Sequence, residues 1–172
     1  NYEGYSSDAP DGAHAVVTDI TITPNAAGTG VRVLDSPSST LHANVVLNVT
    51  NSFITGGTDG VKFEGLSVNG PINNNSITGN SNKSINATAY TGGTAIDVTC
   101  NWYGSAVAGV VATEITGNVT HIPYLNNGTD NSGAQGFQPV PGSCLGIAVT
   151  LTIAGTNVSC FGNNTGTATV TV

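Results

Sequence analysis

The sequence predicts an all-β protein: a parallel β-helix, or solenoid, followed by the first strands of an incomplete antiparallel β-sandwich module. Three observations carry this expectation. A pair of short strand patterns recurs at intervals of 27 and then 28 residues, measured between Ile22, Val49 and Ile77, and a period between about 20 and 50 residues marks a solenoid. Within the repeats, Ile and Val alternate with Thr, Asn and Ser, the period of a strand with one face inward, while helical periodicity is almost absent. Gly and Asn punctuate the runs, and both tolerate the left-handed backbone that tight corners demand.

The first strands of the repeat are Ile20-Thr-Ile-Thr23, Leu47-Asn-Val-Thr50 and Asn75-Ser-Ile-Thr78. Their partners are Gly30-Val-Arg-Val33, Gly60-Val-Lys-Phe63 and Ala95-Ile-Asp-Val98, where a small residue, an apolar one, a charged one and an apolar one follow in the same order. The stretch 80–93 is longer than its counterparts and is expected to bulge from the third coil as a loop. Residues 1–12 carry no evident cap, so either further coils precede Asn1 or this segment folds over the open end. Coils and their closing stretch occupy 1–132. Residues 133–144, with Pro139-Val-Pro-Gly142, read as a linker, because Pro stiffens the chain and cannot join a central strand. In 145–172 two alternating runs, 147–153 and 165–172, make a hairpin at best, and an isolated hairpin is marginal in water. The expectation is that the rest of that sheet lies beyond Val172.

Composition narrows the function. Of the 172 residues 38% are hydrophobic, ordinary for a folded chain, but only 8% are charged, against about 25% in typical soluble domains. Thr, Asn, Gly and Ser supply the surface instead, which suits an extracellular repeat protein. The net charge is −7, and Arg32, Lys62 and Lys83 are the whole basic complement, too few to track a phosphate backbone, so nucleic acid is excluded as a partner. No apolar run reaches the ~20 residues of a membrane span. The polar start carries no export signal, which is expected outside this segment.

Candidate chemistry is sparse. Cys100, Cys144 and Cys160 form no CxxC or Cys/His cluster, and His14, His42 and His121 are scattered, so no zinc site or other cofactor is expected. In an oxidising compartment Cys100 with Cys144 is the natural disulfide, tying the last coil to the linker and leaving Cys160 for a partner outside the segment; spacing alone leaves other connectivities open. The charged positions of the second strands, Arg32, Lys62 and Asp97, are expected to form an outward ladder beside Asp35 and Glu64, a candidate for carbohydrate contact. Its mixed signs argue against a calcium-assisted catalytic site, which wants several converging oxygen ligands. Asp19, Asp59, Asp97 and Glu114 show no pairing of the kind glycoside hydrolysis uses. Asp8, Asp11, Asp59 and Asp130 sit in Gly/Asn turns that could hold calcium, but none has the multi-ligand spacing of a calcium loop, and turn chemistry alone explains them. A second outward ladder, Thr21/Thr23, Asn48/Thr50 and Ser76/Thr78, is too interrupted for an ice-binding Thr array. Eight Asn-x-Ser/Thr sequons fall at Asn48, Asn74, Asn82, Asn86, Asn118, Asn127, Asn157 and Asn163.

Two resemblances extend this reading. Thr99-Cys-Asn-Trp-Tyr-Gly-Ser105 and Glu114-Ile-Thr-Gly-Asn-Val-Thr-His-Ile-Pro-Tyr-Leu-Asn-Asn-Gly-Thr-Asp130 resemble the ending of right-handed parallel β-helix domains of the pectate-lyase-like superfamily. Tyr103 and Tyr124 stand where that pattern usually has Trp. The resemblance covers roughly 15–130 and implies that Trp102, Tyr103 and Tyr124 close the solenoid core with large apolar faces. Val158-Ser-Cys-Phe-Gly-Asn-Asn-Thr-Gly166 and the Thr/Val run after it resemble the opening of an SprB-type repeat of gliding-bacterial adhesins. That likeness covers about the last sixth of the chain. It implies a non-catalytic segment of a secreted bacterial cell-surface adhesin, exported by the type IX route, acting in adhesion or gliding and contacting surfaces, polysaccharides and the outer-surface secretion or motility machinery. Two other readings stay open: the C-terminal part of a β-helix polysaccharide lyase or hydrolase, and a structural fibre segment.

Overall fold

The structure, a computed structural model, describes residues 14–34, 45–65, 68–145, 152–156 and 167–171. Within them the chain is all-β, with a single six-residue helix. Its strands stack as parallel sheets that the backbone visits in rotation. The first pass lays down β1 (His14–Thr18), β2 (Thr21–Ile22) and β3 (Thr29–Leu34). The second lays down β4 (Val45–Thr50), β5 (Phe53–Thr55) and β6 (Asp59–Gly65). In the third come β7 (Val68–Asn69), β8 (Ile72–Asn73), β9 (Ser76–Thr78) and β10 (Lys83–Tyr90). Last come β11 (Ile96–Asp97), helix α1 (Ala108–Thr113), β12 (Ile115–Gly117) and β13 (Val119–Thr120).

Each strand pairs with its counterpart one pass later. The first sheet joins β1 to β4 and β4 to both β7 and β8; the second runs β2-β5-β9; the third runs β3-β6-β10-β12. A short parallel pair joins β11 to β13, which opens a further pass. The remaining strands, β14 (Thr152–Thr156) and β15 (Thr167–Thr171), form a separate antiparallel pair.

Register explains the core. Parallel in-register stacking places like side chains above one another about 4.8 Å apart, so one inward apolar position becomes a column. Ile22, Ile54 and Ile77 make one such column, Val17, Val49 and Ile72 a second, and Val31, Val61, Ile85 and Ile115 a third. From Val49 to Ile85 these residues are at most 1% exposed, and each such burial stabilises by roughly 1.5–3 kcal/mol.

This register corrects the expected one. Val49 belongs to the first sheet with Val17, and the residue equivalent to Ile22 and Ile77 is Ile54. In the third sheet the counterpart of Val31 and Val61 is Ile85, so Ala95–Val98 is not the third partner strand. The stretch expected to bulge, 80–93, contains β10, the longest strand, because Ser84-Ile-Asn-Ala87 continues the pattern of Gly60-Val-Lys-Phe63. Equivalent residues are 32, 23 and 26 positions apart in successive passes, not 27 and 28, because the turns absorb very different lengths of chain.

One position shows how tight the stack is. A side chain at Gly60 would strike Ile77 Cγ2 and the Ser84 carbonyl of the next pass, whereas nothing lies within 4 Å of the equivalent point at Gly93. Gly60→Ala should therefore cost about 1–3 kcal/mol, the range for overpacking a core, while Gly93→Ala should stay within about 0.5 kcal/mol of the parent. Urea unfolding of the two variants separates these outcomes.

Candidate functional site

The most constrained region is the corner between the first and second sheets. There Asp19, Asn51, Asn74 and Cys100 turn the chain with φ of 54°, 51°, 56° and 54°. Asn and Asp adopt this left-handed conformation more readily than other side chains; Cys does not. The residue after each turn is carried inside, where its N–H needs a partner. Side chains of the next pass supply it: Ser52 Oγ accepts from Ile20 N–H at 3.4 Å, Asn75 Oδ1 from Ser52 N–H at 3.0 Å, and Asn101 Oδ1 from Asn75 N–H at 3.0 Å. The amide nitrogens complete the column. Asn75 Nδ2 donates to the Val49 and Asn73 carbonyls at 2.7 and 2.9 Å, and Asn101 Nδ2 to those of Ile72 and Val98 at 2.6 and 2.8 Å. Ser52, Asn75 and Asn101 are fully buried. Sequence reasoning missed this ladder, although a turn residue followed by a polar one recurs at Asn51-Ser52, Asn74-Asn75 and Cys100-Asn101.

The aromatic residues expected to close the solenoid sit beside it. Trp102 pairs with Ser76 and so extends the second sheet by one residue. Tyr103 and Tyr124 are each 2% exposed; the Tyr103 hydroxyl donates to the Val98 carbonyl, and the Tyr124 hydroxyl to that of Ala106. Burial pushes the Tyr103 phenol far above its ordinary range, and the nearby Asp97 charge adds to the shift against an opposing hydrogen bond from Asn101, so it stays a neutral donor.

Cys100 and Cys144 lie at disulfide-bonding distance with Cα atoms 5.1 Å apart. The Pro/Gly stretch 133–144 expected as a linker packs against the sheets: Phe137 is fully buried, its ring edge-on to Phe53 with centroids 5.3 Å apart. Between this stretch and the Asn74 corner lies a cleft of about 320 Å³ lined by Leu125, Gln138, Pro139 and Val140 among others. Its walls carry amide, hydroxyl and apolar groups and no ionisable side chain, so it offers hydrogen bonds and contact but no acid or base.

The charged ladder assembles only in part. Arg32 and Lys62 are register partners on the outer face of the third sheet, but the next position is Asn86, not Asp97. Asp97 lies on β11, opposite Thr120, and accepts from Thr99 N–H. Glu64, which the sequence placed beside the ladder, joins the two cations, accepting from Arg32 Nε and lying 3.0 Å from Lys62 Nζ. Burial pushes the Glu64 carboxyl up, but the hydrogen bonds and charges of Arg32 and Lys62 outweigh it and hold the group below its ordinary 4.5. Asp59, 5% exposed on the same strand, is satisfied by amides instead: Asn82 and Asn86 donate to its two oxygens at 2.7 and 3.1 Å. The threonine ladder divides between sheets, Thr50 pairing with Thr18 and Thr55 with Thr78. Asp8, Asp11, Asp35, Cys160 and the 158–166 motif lie outside the described residues. Among the described residues no three His, Cys, Asp or Glu side chains converge on one point, and no helix is long and apolar enough to cross a membrane.

Comparison with protein-family models, with curated proteins and with solved structures finds no match to this chain.

Two outcomes follow. Asn101→Ala removes the acceptor for Asn75 N–H and the donor to two buried carbonyls, each unpaired group costing ~1–3 kcal/mol; a loss of about 3 kcal/mol or more in urea unfolding is expected, against a negligible change for exposed Asn118→Ala. Because the folded pKa of Glu64 is depressed, its stabilisation is complete above pH 4.5 and disappears as pH falls through the lower folded value. The gap in urea midpoint between parent and Glu64→Gln should therefore close on acidification; a gap independent of pH would refute the ion-pair account.

Proposed function

We propose that this chain is a non-catalytic segment of a secreted bacterial surface adhesin, built as a right-handed parallel β-helix that displays polar sheet faces to surfaces or polysaccharides. The handedness follows from the general rule for crossovers between parallel strands. The observation that carries the reading is the rotation of the backbone through three stacked parallel sheets, with like residues above one another and an amide ladder at the corner. Such a stack grows by adding passes, and each added pass repeats the outer face, so contacts that are weak singly become strong in number. The cysteine pair fits an oxidising, extracellular setting. On the third sheet Arg32 and Lys62, with Glu64 between them, offer a polar contact point for acidic or hydroxyl-rich sugars.

The test is adhesion. Beads coated with the chain should hold to polysaccharide films, and the Arg32→Ala/Lys62→Ala variant should bind about tenfold more weakly, equivalent to ~1.4 kcal/mol. Beads that adhere to no film would overturn the reading. Release of shortened sugars from the film would replace it with the lyase or hydrolase alternative.

A further inference from the structure

The chain after the last pass returns across the sheets. Leu125 donates its N–H to the Asn101 carbonyl, and the backbone then leaves the stack. Gly128 lies against the Trp102 indole so closely that a Cβ there would overlap the ring. Asp130 and Pro139 bridge antiparallel, and Asn131 N–H donates to the Gln138 carbonyl, closing an exposed tip over 131–135. Gly136, at φ 81°, seats against the backbone of Asp19 and Asn51, where a side chain would collide. Phe137 N–H donates to the Asn51 carbonyl at 2.8 Å and its ring covers Phe53. The return leg ends at Cys144, which bridges Leu125 and meets Cys100. Residues 126–144 thus run from the last pass to the first and back, over the outer face of β2-β5-β9, tied at one end by the chain and at the other by the cysteine pair.

We propose that this segment is a disulfide-latched strap, and that reduction of Cys100–Cys144 by a small thiol opens it and uncovers Phe53 and Trp102, the two aromatic residues that flank Ser76 in register on the second sheet. A thiolate attacks one Sγ, the S–S bond breaks and a mixed disulfide forms; a second thiolate displaces the cysteine. Two electrons pass to the protein, each cysteine takes a proton, and the two small thiols leave joined as a disulfide. Both cysteines are half-buried and neither is sealed in the core.

The sheets beneath do not depend on the strap for their own hydrogen bonds. Phe53 N–H donates to Ile20 O, Ser76 N–H to Ser52 O and Ile77 N–H to Trp102 O, all within the stack. The strap itself is held to the first passes by the ring and one backbone hydrogen bond of Phe137 and by the close packing of Gly136 on Asp19 and Asn51, and Pro139 and Pro141 lack donors on its return leg. Opening therefore separates the strap from the sheets without unstacking them. This inference does not rest on the adhesin reading.

Trp102 is the only tryptophan, so its fluorescence reports on the strap. With Cys160→Ser throughout to keep that thiol out of the exchange, dithiothreitol should shift Trp102 emission to the red and raise its quenching by acrylamide. Amide exchange at Asn131 and Phe137 should quicken at least about tenfold, the mark of local opening, while Val61 and Ile85 stay protected. Cys100→Ser/Cys144→Ser should reproduce both changes without reductant. Two results overturn the proposal: a reduced protein, two hydrogens heavier, with unchanged quenching and tip exchange; or loss of protection at Val61 and Ile85 together with the tip, which makes the disulfide a staple of the whole fold.

Discussion

Everything in this stack depends on how the first corner satisfies its own backbone. A parallel stack that turns a residue inward carries that residue's N–H out of water, and the neighbouring passes must answer it. Asn is suited to this because its side chain both accepts and donates. In one amide, Asn75 caps Ser52 of the pass before it and ties down the carbonyls of Val49 and Asn73. Asp in its place could accept but not donate, and would bury a charge. The ladder weakens toward the first pass, where Ser52 Oγ reaches Ile20 N–H only at 3.4 Å. Because it fixes how neighbouring passes meet at that corner, the turns elsewhere are free to vary, and passes of 32, 23 and 26 residues stack in register.

That freedom is also why the sequence was only half legible. Alternation reports that a segment is a strand with one face inward, and it correctly marked an all-β chain and the pairing of Arg32 with Lys62. Alternation is the same in every sheet, however, so it could not say that Val49 belongs to the first sheet and Ile54 to the second. An even period assumes turns of equal length. The better ruler was the backbone: Ile54-Thr-Gly56 and Ile77-Thr-Gly79 each end in a glycine of positive φ, at 90° and 68°, and Tyr103-Gly104 repeats the corner at 85°. A requirement for left-handed backbone is rarer than a requirement for an apolar side chain, and so more specific. The misplacement of Asp97 has the same origin, since Ala95-Ile-Asp-Val98 mimics the pattern without occupying the register.

The charged face shows the same economy. Arg32 and Lys62 sit directly opposite each other, an arrangement of like charges that disfavours a strand pair. Glu64, two residues along β6, lies between them and is held ionised by both. In a chain with so few charges, this placement converts a repulsion into an ion-pair network. Arg32 keeps half of its side chain exposed, which limits the strength of the pair but leaves the guanidinium edge available to solvent.

The fourth position of the corner column poses the last question, because Cys100 holds a left-handed φ of 54° where earlier passes use Asp or Asn. A strained residue of this kind costs on the order of 1–3 kcal/mol. The bond it makes to Cys144 closes a span of 44 residues, and by loop-closure entropy a link of that length is worth about 4 kcal/mol to the arrangement it preserves. The closure therefore outweighs the strain, and it acts at the point where the strap would otherwise leave the stack. The gain depends on oxidation while the strain does not. Reduction leaves Cys100 in its awkward conformation without the bond that offset it, which favours relaxation of this corner first among the four.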